Sequence, residues 1–375
     1  MLRFLSAGES HGNKIMGILE GIPANLELNI DIINKELARR QKGYGRSSRM
    51  TIEKDQIEII AGLNGNLTTG APIGFLIDNK GTNIKKEEIF TPRPGHGDLA
   101  GLLKYNQPGG RNVLERASAR ETAIRVAVGG ICKEYLKQLN IFVFSHVTKI
   151  AGIRSRFDYY STLDLDYNIS ENSILSVMDQ EAEKQMIDAI DKATNEGYSL
   201  GGEIQLVVKG APVGLGSHVQ WDRKLDGQIG QAVLSVQGIK SIAIGLGHEF
   251  SNSQGFNSFD EIFYDYTKGY FRKTNRAGGI EGGISNGEDI VLKATMKPIP
   301  TQRTPLRSVD INTKKEAKAF HERADICAVP AAAVVVEAMV AYTIAKEIIE
   351  KFGGDSMEEV KNNYSNYLEE IIMKR

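Results

Sequence analysis

Two histidines in this chain lie in short turns from which an imidazole could reach a ligand and exchange a proton. His11 is part of a GESHG turn at residues 8–12, and His96 is part of a PGHGD turn at residues 94–98. Imidazole titrates near neutral pH, and loops held by a rigid scaffold often carry catalytic groups. A lone histidine can also be a surface residue, so spacing alone leaves both readings open. We assign no role to the other four histidines, His146, His218, His248 and His321.

Arginines occur in two groups that could hold anions. Arg39, Arg40, Arg46 and Arg49 lie within eleven residues, and a second group comprises Arg111, Arg116, Arg120 and Arg125. At the end of a predicted helix, Arg39 and Arg40 could simply complement the helix dipole. Arg46 and Arg49 lie in a glycine- and serine-containing loop, where guanidinium groups suit bidentate capture of phosphate or carboxylate. The sequence therefore predicts a local anion site.

Three further segments could contact a ligand. Residues 273–283 hold four glycines within six positions, match neither the dinucleotide nor the P-loop pattern, and could be a plain loop. Lys297–Thr301 is a proline-rich segment after a predicted strand, which suits the presentation of backbone donors and one lysine. Asp325 follows Arg323 by two positions, so its carboxylate could face a pocket or pair with that arginine.

The elements that must position these groups mix strands and helices. Hydrophobic patterning predicts strands over Leu2–Ala7, Ile15–Ile22, Ile73–Ile77, Gly202–Lys209 and Asp289–Met296. It predicts helices over Ile30–Gln41, Glu181–Glu196 and Gln228–Gln237, and a long helix between Pro330 and Gly353. His11 would then lie between the first two strands. Prolines on both sides of Arg93 exclude a regular helix around His96.

Two helix starts carry the pattern of a capping box. The Ser118 hydroxyl would accept from the Glu121 amide, the Glu121 carboxylate would accept from the Ser118 amide, and a helix would continue to about Leu139. Asp355 and Glu358 would begin the last helix in the same way. No repeat, linker or low-complexity tract interrupts the pattern. We therefore expect one α+β domain over residues 1–375, with helices among mostly antiparallel sheets.

Composition restricts the class of partner. Lys and Arg number 46 against 47 Asp and Glu, and the net charge of −1 provides no global field for nucleic acid or anionic membrane. The longest apolar stretch, residues 328–345, contains Glu337 and favours a helix buried inside protein over a membrane span. Cys132 and Cys327 match neither a zinc site nor a disulfide framework, and the N-terminus lacks a signal-peptide pattern. We expect a soluble cytoplasmic protein that binds a small anion and holds no metal.

Taken in order, these motifs resemble those of the chorismate synthase family. They are GESHG at 8–12, Arg46 in a GYGR loop, RPGHGD at 93–98, SARETA at 118–123, the run at 275–283, and Arg323 with Asp325. Each motif alone is weak, but six in this order across residues 8–325 are specific, and the resemblance covers essentially the whole chain. Two segments depart from the family pattern. Ala117 replaces a serine of the usual Arg-Ser-Ser, and Gln237-Gly238 replaces a frequent Asn-Ala.

The resemblance implies an activity, cofactors and an assembly. The family converts 5-enolpyruvylshikimate 3-phosphate to chorismate and phosphate by an anti 1,4-elimination, the last step of the shikimate pathway. It requires reduced FMN without net redox change. NADPH is a possible reductant, and an external flavin reductase is the expected partner. The implied fold is a β-α-β sandwich that forms a homotetramer. A flavin-dependent reductase and a non-catalytic phosphometabolite-binding regulator remain as alternatives.

The resemblance also implies residue roles. His11 would be the general acid toward the departing phosphate, His96 would donate to the N1/C2 carbonyl region of the flavin, and Asp325 would help flavin N5 act as base. FMN contacts would come from Arg116, Ala117, Ser118, Gln237, Gly238, Gly282, Lys297, Pro298, Ile299, Pro300, Thr301 and Arg323. NADP or substrate anions would be held by Arg40, Arg46, Arg49 and Arg120.

Overall fold

The structure, a computed structural model, describes residues 1–47, 54–80, 87–160, 170, 172–267, 269–322 and 324–374. Its helices are α1 Ile30–Gln41, α2 Asp98–Lys104, α3 Arg111–Ala117, α4 Thr122–Lys137, α5 Gln180–Glu196, α6 Leu225–Leu234, α7 Gly255–Ser258, α8 Val329–Phe352 and α9 Met357–Lys374. Its strands are β1 Arg3–Ala7, β2 Lys14–Glu20, β3 Ile57–Ala61, β4 Leu63–Asn64, β5 Leu67–Thr68, β6 Ile73–Asp78, β7 Phe142–Ile150, β8 Ile153–Arg154, β9 Gly202–Lys209, β10 Ile239–Ile244, β11 Ile262–Asp265, β12 Gly269–Arg272, β13 Ile280–Glu281, β14 Ile284–Ser285, β15 Ile290–Met296, β16 Arg307–Val309 and β17 Glu316–Lys318.

Two sheets form the larger part of the strand structure. One has the order β1-β2-β6-β3 and the other the order β10-β15-β9-β7-β8. Across the described part of the chain, every ladder between these strands is antiparallel. The predicted mixed α+β class with mostly antiparallel sheets is therefore confirmed.

The longest helix, α8, lies at the centre of the core. It contacts α1, α4 and α6 and three strands of the five-stranded sheet, β7, β9 and β15. Helix α4 contacts β2 of one sheet and β7 of the other. A Cβ atom at Gly129 of α4 would clash with Ala338 of α8, so glycine permits the close approach of the two helices. Among the described helices, none combines the length and apolarity needed to cross a membrane.

A buried carboxylate joins three of these helices. Glu337 of α8 is 1% exposed and accepts hydrogen bonds from Arg39 at 2.9 Å, from Lys133 and from Ser145. Burial alone would raise the pKa of Glu337, but the charges of Arg39 and Lys133 lower it to about 2. Arg39 also binds Glu36 within α1. Arg39 therefore has a structural role, because its ion pair with Glu337 links α1 to α8.

The first predicted helix is confirmed and the first capping box is wrong. Helix α1 has the predicted bounds, with Asn29 as its N-cap. In the predicted capping box, the Ser118 hydroxyl accepts from the Arg120 amide at 3.3 Å instead of from the Glu121 amide, and a 3₁₀ turn precedes α4. The Glu121 carboxylate instead accepts from the Ser6 hydroxyl at 2.8 Å and from Arg125 at 2.9 Å. A guanidinium one helical turn away competes well for a carboxylate because charge-assisted hydrogen bonds are strong.

Two other helix starts differ from the prediction. The last helix is capped one position later than expected, because the Glu359 carboxylate accepts from the Ser356 amide and the Ser356 hydroxyl accepts from the Glu359 amide. Helix α6 begins and ends three residues before the predicted bounds of 228–237. Gly238, between α6 and β10, has φ of 85°, a left-handed conformation that glycine adopts without strain.

Candidate active site

His11 lies in the turn between β1 and β2 and is held from outside that turn by Glu115 of α3. Its Nδ1 is 2.9 Å and 3.1 Å from the two carboxylate oxygens of Glu115. The His11 amide donates to the same carboxylate at 2.8 Å, and the Ser10 amide donates to the Glu115 carbonyl at 3.0 Å. The side chain of His11 is 18% exposed. The ring is therefore oriented by a carboxylate while its surface stays accessible.

Asn79, directly after β6, ties the same turn to Arg120. Its amide nitrogen donates to the Gly12 carbonyl at 2.6 Å and to the Glu9 carbonyl at 3.2 Å. Its carbonyl oxygen accepts from Arg120 Nε at 2.6 Å. Asn79 is 6% exposed, so these hydrogen bonds are largely screened from water. One amide thus fixes a proton-transfer candidate and an anion-binding candidate relative to each other.

Arg40 and Arg120 share one buried carboxylate, that of Asp55. Arg40 donates to it at 2.6 Å, and Arg120 donates at 2.7 Å and 2.8 Å. The three residues are 4%, 6% and 4% exposed for Arg40, Arg120 and Asp55. Burial lowers the pKa of Arg40, against the attraction of Asp55 and together with the repulsion of Arg120. Two guanidinium groups against one carboxylate leave this trio with an excess of one positive charge.

Arg46 and Asp325 form a second ion pair near this trio. Arg46 Nη1 is 3.0 Å from one oxygen of Asp325, and the Ser47 amide donates to the other oxygen at 2.7 Å. Both side chains are mostly buried, at 9% and 16% exposed. The positive charge of Arg46 contributes to the lowered pKa of Arg40, so the two guanidinium groups are neighbours. The structure thus brings Asp325 to the arginine cluster predicted from residues 39–49.

The turn that carries His96 is held by hydrogen bonds among its own residues. His96 Nδ1 is 2.6 Å from Asp98 Oδ1 and 3.1 Å from Arg93 Nη2. Arg93 also donates to Asp98 at 2.8 Å and 3.0 Å. Burial by itself would raise the pKa of Asp98, but hydrogen bonds from His96 and Arg93 hold it well below its ordinary value. Asp98 is fully buried, whereas the His96 side chain is 17% exposed.

The segment Lys297–Thr301 packs against this turn. The Thr301 hydroxyl accepts from Arg93 at 2.8 Å, and Lys297 Nζ donates to the Gly95 carbonyl. The Lys297 amide donates to the Gly238 carbonyl at 2.9 Å. Burial, with the nearby charge of Lys240, lowers the pKa of Lys297. These contacts bring the predicted cofactor segments at 237–238 and 297–301 together beside His96.

The last turn of α3 and the residue after it reach strand β1 and the His11 turn. Arg116 donates to the Ser6 hydroxyl at 2.9 Å and to the Ser6 carbonyl at 3.0 Å. The Ser118 hydroxyl donates to the Ser10 hydroxyl at 3.1 Å. Gln237 joins the same group, because its amide nitrogen donates to Glu121 at 3.2 Å. Predicted cofactor residues at 116, 118 and 237 therefore lie around the start of α4.

The two histidine turns meet at α3. Glu115 holds His11, and two residues later the Ala117 side chain would lie 3.9 Å from a Cβ atom built on Gly97 of the His96 turn. Helix α3, which is seven residues long, thus contacts both turns. Proton-transfer candidates separated by 85 positions in sequence therefore belong to one site.

Comparisons with known proteins agree with this geometry. A sequence model of the family "Chorismate synthase" matches residues 2–349. The chain belongs to the chorismate synthase family. A chorismate synthase of Caldicellulosiruptor saccharolyticus is 50% identical, over 97% of this chain and 98% of that protein. One of Thermoanaerobacter pseudethanolicus is also 50% identical, over 98% of both. A crystal structure of chorismate synthase superposes with a TM-score of 0.84 at 42% identity, over 99% of this chain and 98% of the other.

The resemblance predicted from the motifs is therefore confirmed. So are the enzyme class, a carbon–oxygen lyase acting on a phosphate, and the place of the chain in the shikimate pathway. Both departures from the family pattern lie at the site. Ala117 faces the His96 turn, and Gln237 reaches Glu121 where the family often has asparagine.

One described residue among those predicted, Gly282, stands apart from this group. Gly282 lies in the β13–β14 turn, whose Gly283 packs against Lys224 at the start of α6. Gln237 follows the opposite end of α6, a ten-residue helix about 15 Å long. Among the described residues, no contact joins Gly282 to the histidine turns. Arg49 and Arg323 lie outside the described residues. Pro298, Ile299 and Pro300 belong to the segment beside His96, where the Ile299 carbonyl accepts from Ser199 at 2.6 Å.

Three residues of the site were missed from sequence. Glu115, Asn79 and Asp55 hold the histidine and the arginines, yet none lies in a motif with a local signal of its own. Asn79 directly after a predicted strand is a weak hint, because a buried side-chain amide at a strand end often satisfies loop carbonyls. Glu115 and Asp55 become visible only when the fold brings their partners to them.

Proposed function

We propose that this site releases phosphate from 5-enolpyruvylshikimate 3-phosphate by 1,4-elimination, with His11 as the proton donor to the departing phosphate. The observation that carries the proposal is the meeting of both histidine turns at α3, next to arginines that share one buried carboxylate. In the reaction the allylic C–O bond breaks, one C–H bond is lost, and a new double bond forms. The phosphate leaves with a proton from His11 Nε2.

The arginines account for the substrate class. Arg40 and Arg120 bring two buried positive charges against the single charge of Asp55, and Arg46 lies beside Arg40. Guanidinium groups suit the phosphate and carboxylate groups of such a substrate, and these interactions are strongest in a site that excludes water. We assign Arg40, Arg46 and Arg120 to the substrate anions or to NADPH, and Arg49 as a further candidate.

The residues around the start of α4 and segment 297–301 fit reduced FMN. Gln237 Oε1 is buried and has no hydrogen-bond partner among the described residues, so it suits an N–H donor of a bound ligand. Arg116, Ser118 and Lys297 would offer donors to a phosphate or carbonyl oxygen. Reduced FMN, when bound, supplies electron density to the substrate and takes up the hydrogen lost from carbon.

Two side chains would serve the cofactor side of the reaction. His96, held on Asp98 through Nδ1, would donate a hydrogen bond from Nε2. Asp325 is held by the Ser47 amide and Arg46, and its carboxylate would assist the loss of the C–H hydrogen. We further assign Ala117, Gly238, Pro298, Ile299, Pro300, Thr301, Arg323 and, from the family pattern alone, Gly282 to FMN contacts.

We propose a single domain in which the two sheets enclose α4 and α8 as a β-α-β sandwich, supported by the contacts of α4 with both sheets. We propose that the chain forms a homotetramer in the cytoplasm. The flavin would be reduced by an external reductase, with NADPH as the possible source of electrons.

An anaerobic assay with pre-reduced FMN tests the proposed function. We expect chorismate and phosphate to appear in equal amounts while the flavin remains reduced. A flavin-dependent reductase would instead oxidise the flavin in proportion to product, and a phosphometabolite-binding regulator would release no phosphate. His248→Ala serves as control, because that side chain is 78% exposed and pairs with the neighbouring Glu249 at 3.2 Å.

A further inference from the structure

Glu115 contacts the His11 turn through both its side chain and its backbone. Its carboxylate accepts from the His11 ring at 2.9 Å and from the His11 amide at 2.8 Å, while its carbonyl accepts from the Ser10 amide at 3.0 Å. The Glu115 side chain is 11% exposed, so these hydrogen bonds are largely protected from water. One residue thus fixes both the backbone of the turn and the plane of the imidazole.

The charges around this contact favour an ionised Glu115. Burial alone would raise the pKa of Glu115, but hydrogen bonds from the His11 ring and amide, with the charge of Arg111, bring it below its ordinary value. Arg111 is 3.7 Å from Glu115 and 3.5 Å from Glu322. Within the turn itself, the remaining acid is Glu9. A carboxylate therefore faces His11 Nδ1 from α3.

An ionised carboxylate at one ring nitrogen decides which nitrogen can give up a proton. Nδ1 keeps its hydrogen in the contact with Glu115, and Nε2 lies on the other side of the ring. The carboxylate also stabilises the doubly protonated ring, which is the form that a general acid needs before transfer.

We propose that Glu115 is the positioning residue for His11, which holds the ring with its Nδ1–H on the carboxylate so that Nε2 delivers the proton to the departing phosphate. This inference rests on the proposed role of His11. It adds a residue that lies in none of the six motifs of the family resemblance.

The test compares Glu115→Gln, Glu115→Asp and Glu115→Ala in the anaerobic phosphate-release assay. Glu115→Gln keeps a hydrogen-bond acceptor but loses the charge, so we expect kcat to fall roughly 10- to 100-fold with KM changed less than about threefold. A general acid must carry its proton, so kcat falls as rising pH removes that proton. The high-pH limb of kcat should therefore move to lower pH in Glu115→Gln, which lacks the carboxylate that faces the ring. Glu115→Asp should restore the wild-type limb, with part of the turnover.

Nitrogen NMR of the His11 ring gives a readout that needs no cofactor or turnover. Wild-type protein and Glu115→Gln should keep the neutral ring in the Nδ1–H form, whereas Glu115→Ala should shift it toward Nε2–H. Glu203→Gln is the matched control, because Glu203 is 14% exposed and accepts from Thr148 and Arg154 of the five-stranded sheet. It should change neither the pH limb nor the His11 signals.

The outcomes separate this proposal from the proposed function. An unmoved pH limb in Glu115→Gln, or an unchanged ring tautomer in folded Glu115→Ala, would overturn the positioning role even if the wild-type protein makes chorismate. If the wild-type protein releases no phosphate with reduced FMN, the proposed function is wrong. Phosphate is then also excluded as the acceptor of the His11 proton. The NMR result then still decides whether Glu115 holds His11.

Discussion

The turns of His11 and His96 expose their histidines equally but are built differently. The side chains are 18% and 17% exposed, and each Nδ1 contacts a carboxylate. The acid of His96 is two residues away, and Arg93 of the same turn binds both partners. The acid of His11 is 104 residues away, on α3. The His96 turn is thus a locally closed unit, whereas the His11 turn takes its geometry from the rest of the fold.

The largest effect should come from removing the acid of the closed unit. In Asp98→Ala, Arg93 and His96 lose their carboxylate, and Arg93 becomes a buried charge without its main counterion. Loss of one partner of a buried ion pair costs about 3–5 kcal/mol. We expect the free energy of unfolding in urea to fall by about that amount.

Glu115→Ala provides the comparison on the other turn. Arg111 keeps Glu322 as a neighbour at 3.5 Å, so the main loss is the acceptor of the His11 ring and amide, which costs about 1–3 kcal/mol. Equal losses in the two variants would contradict the distinction between a locally closed turn and one held by the fold.

Loss of either imidazole should abolish most turnover while the protein stays folded. We expect His11→Ala and His96→Ala to bind FMN and substrate but to lower kcat at least about 100-fold, the usual contribution of a positioned acid or base. Phosphate release and flavin binding, measured on the same samples, check this. Near-normal turnover in both variants would remove the assigned roles.

The contrast between the turns also explains how far sequence reasoning could go. The His96 turn is readable because Arg93, His96 and Asp98 are adjacent in sequence and prolines restrict the backbone. Helix α1, strand β9 and the antiparallel α+β class follow from periodicity and a local cap. Glu115 and Asp55 could not be found, because their partners approach only after the sheets and helices pack. The Ser118 capping box was wrong because Glu121 binds Arg125 one helical turn away and Ser6 of β1 instead of the Ser118 amide.

A smaller effect should follow when the His11 turn is separated from the arginines. Asn79→Ala removes the donor to the Gly12 and Glu9 carbonyls and the acceptor of Arg120 Nε. Small displacements of a catalytic group are costly, and we expect kcat/KM to fall about 10-fold. Asn66→Ala, which removes an exposed amide bonded to Glu27, is the control and should leave kcat/KM unchanged.

A double-mutant cycle shows whether Asn79 acts through His11. In a His11→Ala background, Asn79→Ala should no longer lower kcat, because the group that it positions is gone. Any remaining effect should be on KM, through Arg120. A full additive loss of kcat would mean that Asn79 supports catalysis by another route.

The smallest effect concerns acid sensitivity, where the two acids can be compared directly. The folded-state pKa of Asp98 lies below its ordinary value of 3.8, so the unfolded chain binds protons first as the pH falls. The stability that ionised Asp98 contributes is complete above about pH 4 and is lost progressively below it. In urea unfolding from pH 6 to pH 3, Asp98→Asn should be less stable at pH 6 but lose less on acidification than the wild type. Glu115→Gln should flatten the curve less, because the Glu115 side chain is 11% exposed whereas that of Asp98 is fully buried; a larger flattening by Glu115→Gln would reverse the comparison.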